Sequence, residues 1–435
     1  MTYPFVLGPV AGDASELPAM FEVRQHFDIL PAVDMLAALD DEWPRAKAPL
    51  AALAPGAGVA MAVGSRGIAE IAVLVRGIVA RLRAVGCEPF VVPAMGSHGG
   101  ATAAGQTEVL AHLGVTEAAV GAPVRATMEV VSLGEAEGIP LFLDRFAWEA
   151  DGIVLVNRVK PHTDFVGDIE SGLMKQLVIG LGKQAGAEHY HRLGVVRGLE
   201  MTIPVAAREL LKKTSVLFGV ALVENEEHRT AALRVALPKD IEEVDRDLLG
   251  LARLHLPGIP VDDIDLLIVD EMGKDISGNG LDPNVVGKAA PSYSAPRSRP
   301  RVSRIFVRDL TAATEGNAAG LGVTDAITTR LLERLDVKAT AVNAFTSCAP
   351  EDAKIPAVFA SDHDAIVSLL TTIRPATAAD LRLVHIRNTM DLARVWISAG
   401  CLGQLPAPPA VTVDETPRKL VFDAAGNLVS PFMGA

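Results

Sequence analysis

Along the chain, short apolar runs alternate with segments of helical period. From Gly58 the order is GVAMAV as a buried strand, Ile68 to Val85 as an amphipathic helix, and PFVVPAM as a second strand. The glycine-rich turn GSHGG then leads into a helix near Ala103 to Leu113. Further strands are predicted at GIVLVN and SVLFGVALV, with a helix between them around Glu200 to Lys213. A parallel sheet with crossovers needs this order of strand, helix, strand, helix. The helical segment KDIEEVDRDLLGLARLHL is followed by LPGIP, where proline and glycine interrupt both periods and mark a domain boundary. Beyond it come strands at DLLIVDEMG and VSRIFVRDL, a helix over Val323 to Leu335, the run KATAVNAF, and a helix near His363 to Thr372. RKLVFDAAGNLVS reads as a hairpin turning at Ala424 to Asn427. The expectation is an α/β protein of two α/β domains with mainly parallel sheets, residues 1–258 and 259–435, and an active-site cleft between them.

Composition narrows the function. The 435 residues are 49% hydrophobic and 21% charged, which suits a globular chain with more than one core. A net charge of −13 and the lack of a Lys/Arg cluster argue against a nucleic-acid binder. The most apolar long window, IAEIAVLVRGIVARLRAVG, carries Arg76, Arg81 and Arg83 and suits an amphipathic helix, not a membrane span. MTYPFVLGPVAGD has no basic head followed by an apolar stretch, so no secretory signal is read and a cytoplasmic protein is expected. Cys87, Cys348 and Cys401 are too scattered for a disulfide framework or a cysteine zinc site.

Candidate chemistry gathers on three loops, each at the carboxyl end of a predicted strand. These are VGSRG with Arg66, MGSHGG with His98, and NRVKPHTDFVGDIESGLMK with His162 and Lys175. In a parallel sheet such ends lie along one rim, so residues distant in sequence can converge there. Glycines around His98 allow close backbone approach to a ligand, and an imidazole can take or give a proton near neutral pH. Pro161 stiffens the approach to His162. Lys175 precedes the apolar run QLVIGLG, so its amine is either a nucleophile near buried surface or a side chain reaching to solvent. In an extended segment His189 and His191 would point to one face and could ligate a metal. Competing motifs fail. Met95 occupies the first glycine position of a G-x-S-x-G elbow, and no phosphate-binding loop, G-x-G-x-x-G or H-E-x-x-H is present.

In order and spacing, strand-GSRG, strand-GSHGG and PH...GDIESGLMK...HYH together resemble the nickel-pincer-dependent lactate racemase family, over roughly Gly58 to Leu193. The resemblance implies a 2-hydroxy acid racemase or epimerase with a covalently tethered nickel-pincer nucleotide, made by partner biosynthesis enzymes. Within it His98 and His162 match the two proton-transfer histidines. Lys175 matches the tethering lysine, because S-G-L-M-K stands where the family has S-G-G-x-K. His191, sixteen residues after Lys175, matches the nickel ligand, with His189 as the fallback. Arg66 matches the arginine that holds a substrate carboxylate, and Ser97, Gly99 and Gly172 fall against the cofactor. Lys274 and Lys288 are candidates for a second-domain substrate lysine. The chain departs from the family where Val63, Gly64 and Ser65 replace an aspartate-bearing stretch, and where Asp164, Asp168 and Glu170 fill a longer loop between His162 and Lys175. Two other readings stay open: a metal-dependent hydrolase or lyase using His189 and His191, and a small-molecule-binding protein without the cofactor.

Overall fold

The structure, a computed structural model, describes residues 5–9, 17–65, 68–289, 299–374 and 377–432. The chain divides into two compact units, one of Ile29–Leu256 and one of Met1–Asp28 with Pro257–Ala435. Strand β1 (Met20–Gln25) belongs to the latter.

The 29–256 unit is built on a five-stranded sheet of β2 (Gly58–Val63), β3 (Glu88–Pro93), β6 (Gly152–Arg158), β7 (Val216–Glu224) and β8 (Thr230–Ala236). Their order is β3-β2-β6-β7-β8, parallel except for β8. The continuous apolar runs follow from this placement, because a parallel sheet is covered on both faces and alternation would bury polar side chains. Helix α1 (Ile71–Ala84) buries Ile71, Leu74, Val75, Ile78, Val79 and Leu82, the stripe a 3.6-residue period places on one face. Helices α2 (Ala103–His112), α3 (Lys183–Arg197), α4 (Leu199–Lys213) and α5 (Ile241–Leu254) complete the layers used below. A separate hairpin, β4 (Val130–Ala136) with β5 (Ile139–Asp144), was not among the elements expected, although IPLFLD is an apolar run that follows Gly138.

The other unit carries an eight-stranded sheet. Its strands are β1, β9 (Asp263–Met272), β10 (Arg301–Leu310), β11 (Ala326–Thr328), β12 (Ala357–Phe359), β13 (Leu383–Ile386), β14 (Arg394–Ser398) and β15 (Val411–Val413). The order is β12-β11-β10-β9-β13-β14-β1-β15, parallel from β12 to β13 and antiparallel from there. Residues 1–28 therefore leave the first domain expected for them, because β1 pairs with β14 and β15. The helix expected over Val323 to Leu335 is instead β11 followed by the short helix Thr329–Arg334. Ala326–Thr328 is wholly buried between β10 and β12, a sheet context that outweighs local propensity. KATAVNAF lies in the helix Val337–Thr346. The tail turns as expected, with Asp423 N–H donating to Asn427 O and Val429 N–H to Val421 O.

Candidate active site

Three adjacent parallel strands, β3, β2 and β6, end along one rim, and the segment after Gly172 is sewn across all three ends. Asn157, in β6, donates its side-chain amide to Gly172 O at 2.8 Å. Buried Gln176 donates to Val156 O at 2.8 Å and to Ala62 O at 3.2 Å, bridging β6 and β2. Gly96 N–H, just after β3, donates to Gly180 O at 3.1 Å. The backbone meets these constraints with a helical turn, Leu173–Lys175, that widens into a π-helix at Gln176–Gly180. Such one-turn widenings are rare and recur at functional sites. Lys175 sits at the junction, half-buried on the rim.

The turn is anchored from below by Asp245, which α5 places on its own buried face. Its carboxyl accepts Leu173 N–H at 3.0 Å and Met174 N–H at 2.8 Å, capping two N-terminal donors that otherwise have no helical acceptor. Burial pushes the Asp245 pKa up to about 6, while the two N–H donors hold it down in part. Gly172 makes the approach possible, since a Cβ there would lie 2.5 Å from Asp245 Oδ1.

His162 is buried, with its backbone N–H on Glu170 Oε2 at 2.5 Å and its ring 4.6 Å from that of Phe165. Its Nδ1 accepts Asp164 N–H at 3.0 Å, and its Nε2 is hydrogen-bonded to Lys175 Nζ. Glu170 also takes Gly167 N–H at 3.0 Å and an ion pair from Arg253 at 2.6 Å, so it closes the 162–170 loop. Two members of the acidic insertion thus have defined contacts: Glu170 is a clasp, and Asp164 lies beside the His162 ring. Asp168 is exposed.

His98 stands exposed on the rim, its Nδ1 hydrogen-bonded to Ser65 Oγ at 2.5 Å. Its loop rests on a buried network. Gln106 donates to Gly96 O at 2.8 Å and to His98 O at 3.3 Å. Lys183 in turn donates to Gln106 Oε1 at 3.0 Å and Pro93 O at 2.5 Å, and pairs with Asp144 at 3.1 Å. Gly99 is needed for backbone fit, because at φ +68° its Cβ would strike the Gly105 carbonyl carbon at 2.5 Å. Ser97 is half-buried in the same turn, its carbonyl taking Ala101 N–H.

The remaining candidates fare differently. Arg66 lies outside the described residues. His189 and His191 are helical, within α3, and not in the extended segment expected for them. Two residues apart on a helix they point about 200° apart, so they do not form a chelating pair. His189 is exposed, bonded to its own helix at Ala185 O and packed on Phe142, whereas His191 is half-buried. Among the described residues no three His, Cys, Asp or Glu side chains gather to hold a metal ion. Lys274 and Lys288 belong to the other unit. Lys288 pairs with Asp325 at 2.9 Å, and Lys274 donates to Gly278 O and to Asn343 Oδ1. In donor chemistry the rim offers one amine, Lys175, for covalent attachment and two imidazoles, His98 and His162, for protons, while the further imidazole that could act as a ligand, His191, stands on α3.

No family model matches the chain, and no curated protein matches it significantly. Among solved structures, it is similar to the lactate racemase apoprotein from Thermoanaerobacterium thermosaccharolyticum at 12% identity and a TM-score of 0.43, over 70% of this chain and 69% of that one. A Thermotoga maritima protein solved by a structural genomics consortium is similar at 13% identity and a TM-score of 0.47, covering 74% of this chain and 84% of its own.

Proposed function

We propose that the chain is a racemase or epimerase of a 2-hydroxy acid that works with a nickel-pincer nucleotide. The observation that carries this reading is the rim itself: His98 follows β3, Ser65 follows β2, and His162 and Lys175 both follow β6, and hydrogen bonds tie these strand-end segments together. Lys175 would hold the nucleotide covalently and His191 would ligate its nickel. When bound, that group supplies a reversible hydride acceptor.

The chain's own residues handle the protons. One imidazole takes the substrate hydroxyl proton as the carbon is oxidised and returns it as the carbon is reduced. A second imidazole does the same for the other enantiomer, which accounts for a reversible inversion. Ser65 fixes the His98 ring through Nδ1 at 2.5 Å. Arg66 would bind the carboxylate through its planar fork.

Intact-protein mass measured on material made together with the cofactor-building enzymes tests the reading. A mass increase that disappears in Lys175→Ala is expected. With that adduct in place, His98→Ala and His162→Ala should each abolish exchange of the carbon-bound hydrogen across a panel of chiral hydroxy acids. A protein made this way that carries metal but no adduct would overturn the proposal.

A further inference from the structure

The hydrogen bond between His162 and Lys175 has a polarity that can be worked out atom by atom. Asp164 N–H donates to His162 Nδ1 at 3.0 Å, so that nitrogen presents its lone pair. A neutral imidazole then carries its hydrogen on Nε2, the atom bonded to Lys175 Nζ. An ammonium has three hydrogens and no lone pair, so it cannot accept Nε2–H; a neutral amine can. The Asp164 carboxylate would favour a protonated ring, but it stands 3.8 Å from Nδ1, where the amide N–H already occupies the lone pair. Glu170 fixes the backbone of His162 through its main-chain N–H, and the Phe165 ring, 4.6 Å away, packs against the imidazole in this arrangement.

We infer that His162 holds Lys175 as a neutral, nucleophilic amine, primed to bond an aldehyde or activated carboxyl carbon before any cofactor is present. The amine lone pair forms the new C–N bond and the carbonyl π pair moves to oxygen. With an aldehyde, two amine hydrogens and that oxygen leave as water, giving an imine; with an activated carboxyl the C=O re-forms, the activating group leaves with its bonding pair and the nitrogen gives up one proton, giving an amide. This deepens the proposed function at the same site and rests on it only for what the amine is for.

Formaldehyde with cyanoborohydride, whose hydride reduces the imine to a stable methylamine, probes the amine directly on the cofactor-free protein near neutral pH. An ordinary lysine there is neutral about once in a few thousand molecules. Half-buried Lys175 should therefore methylate at least about tenfold faster than the exposed Lys47 and Lys338 in the same digest. A Lys175 rate at or below theirs overturns the inference, with no variant required. His162→Asn keeps an acceptor near the Nδ1 position but removes Nε2–H, and should lose the advantage. His162→Gln restores an N–H donor near Nε2 and should keep most of it. An advantage retained in His162→Asn overturns the role of the ring, and loss in both variants marks a merely structural ring and overturns it as well. A reactive Lys175 in a protein that never acquires an adduct would remove the proposed function and leave this inference standing.

Discussion

Lys183 and Asp144 are both fully buried and lie 3.1 Å apart beneath the loop that carries His98. Burial pushes the lysine pKa down and the aspartate pKa up, and mutual attraction opposes both shifts. A buried pair is costly to desolvate and costlier still to break, because the surviving partner is left without its counter-charge. Lys183→Met should therefore destabilise the protein by about 3–5 kcal/mol in denaturant titration. The double variant Lys183→Met with Asp144→Leu should lose less than that single change. A loss under about 1 kcal/mol in Lys183→Met would show that the pair does not hold the loop.

Asp245 gives a pH signature. Its folded pKa, about 6, is raised above the ordinary 3.8, so the folded state binds this proton more tightly than the unfolded chain does. The stability tied to that proton is complete below pH 3.8 and is lost as pH rises through about 6. A shift of about two units corresponds to roughly 3 kcal/mol. Asp245→Asn cannot titrate, so over this window the wild type should lose about that much stability relative to the variant. A difference between the two that stays flat from pH 4 to pH 6 would remove Asp245 as the titrating group.

Gly172 should tolerate no side chain. The added methyl of Gly172→Ala would lie 2.5 Å from Asp245 Oδ1 and 2.6 Å from its Cγ, so the carboxyl must withdraw from the Leu173 and Met174 donors. Overpacking of this kind costs about 1–3 kcal/mol, read as a lowered melting temperature. Because the same turn presents Lys175, adduct formation should fall with it. An alanine variant as stable as the wild type would mean that the turn is not held by Asp245.

Much of this arrangement was legible in the chain, and the exceptions have physical causes. The strands and helices from Gly58 to Leu113 follow apolar runs and a clean helical stripe, and the loops bearing His98 and Lys175 follow strands as expected. Asp245 did leave a signal, since it interrupts the stripe Ile241, Leu248, Leu249 on an otherwise amphipathic helix. Lys183 and Gln106 left none, because their burial rests on partners outside their own helices, Asp144 and Pro93 O for Lys183 and Gly96 O, His98 O and Lys183 for Gln106. The His189–His191 pair misled because period two was assumed where the chain is helical. The amino-terminal strand was missed because its partners lie more than 350 residues away in sequence.

Glu170 closes the last part of the site. One carboxylate oxygen takes His162 N–H at 2.5 Å, the other takes Gly167 N–H at 3.0 Å, and Arg253 donates to that second oxygen at 2.6 Å and to Gly167 O at 2.7 Å. The loop between His162 and Glu170 is thus tied down by one buried carboxylate and one half-exposed guanidinium, beside the two backbone hydrogen bonds that pair Lys160 with Ser171 at its ends. Glu170→Ala leaves the two backbone donors without that acceptor, and each bond of this kind is worth about 1–3 kcal/mol. The loss should be local, because α5 and the sheet keep their own contacts. Amide exchange at His162 and Gly167 should accelerate about tenfold to a hundredfold, with little change at the strand amides of β6. Arg253→Met should have a smaller effect in the same direction, because its charge is partly screened by solvent. Equal acceleration throughout β6 would mean that Glu170 supports the unit as a whole and not the loop that positions His162.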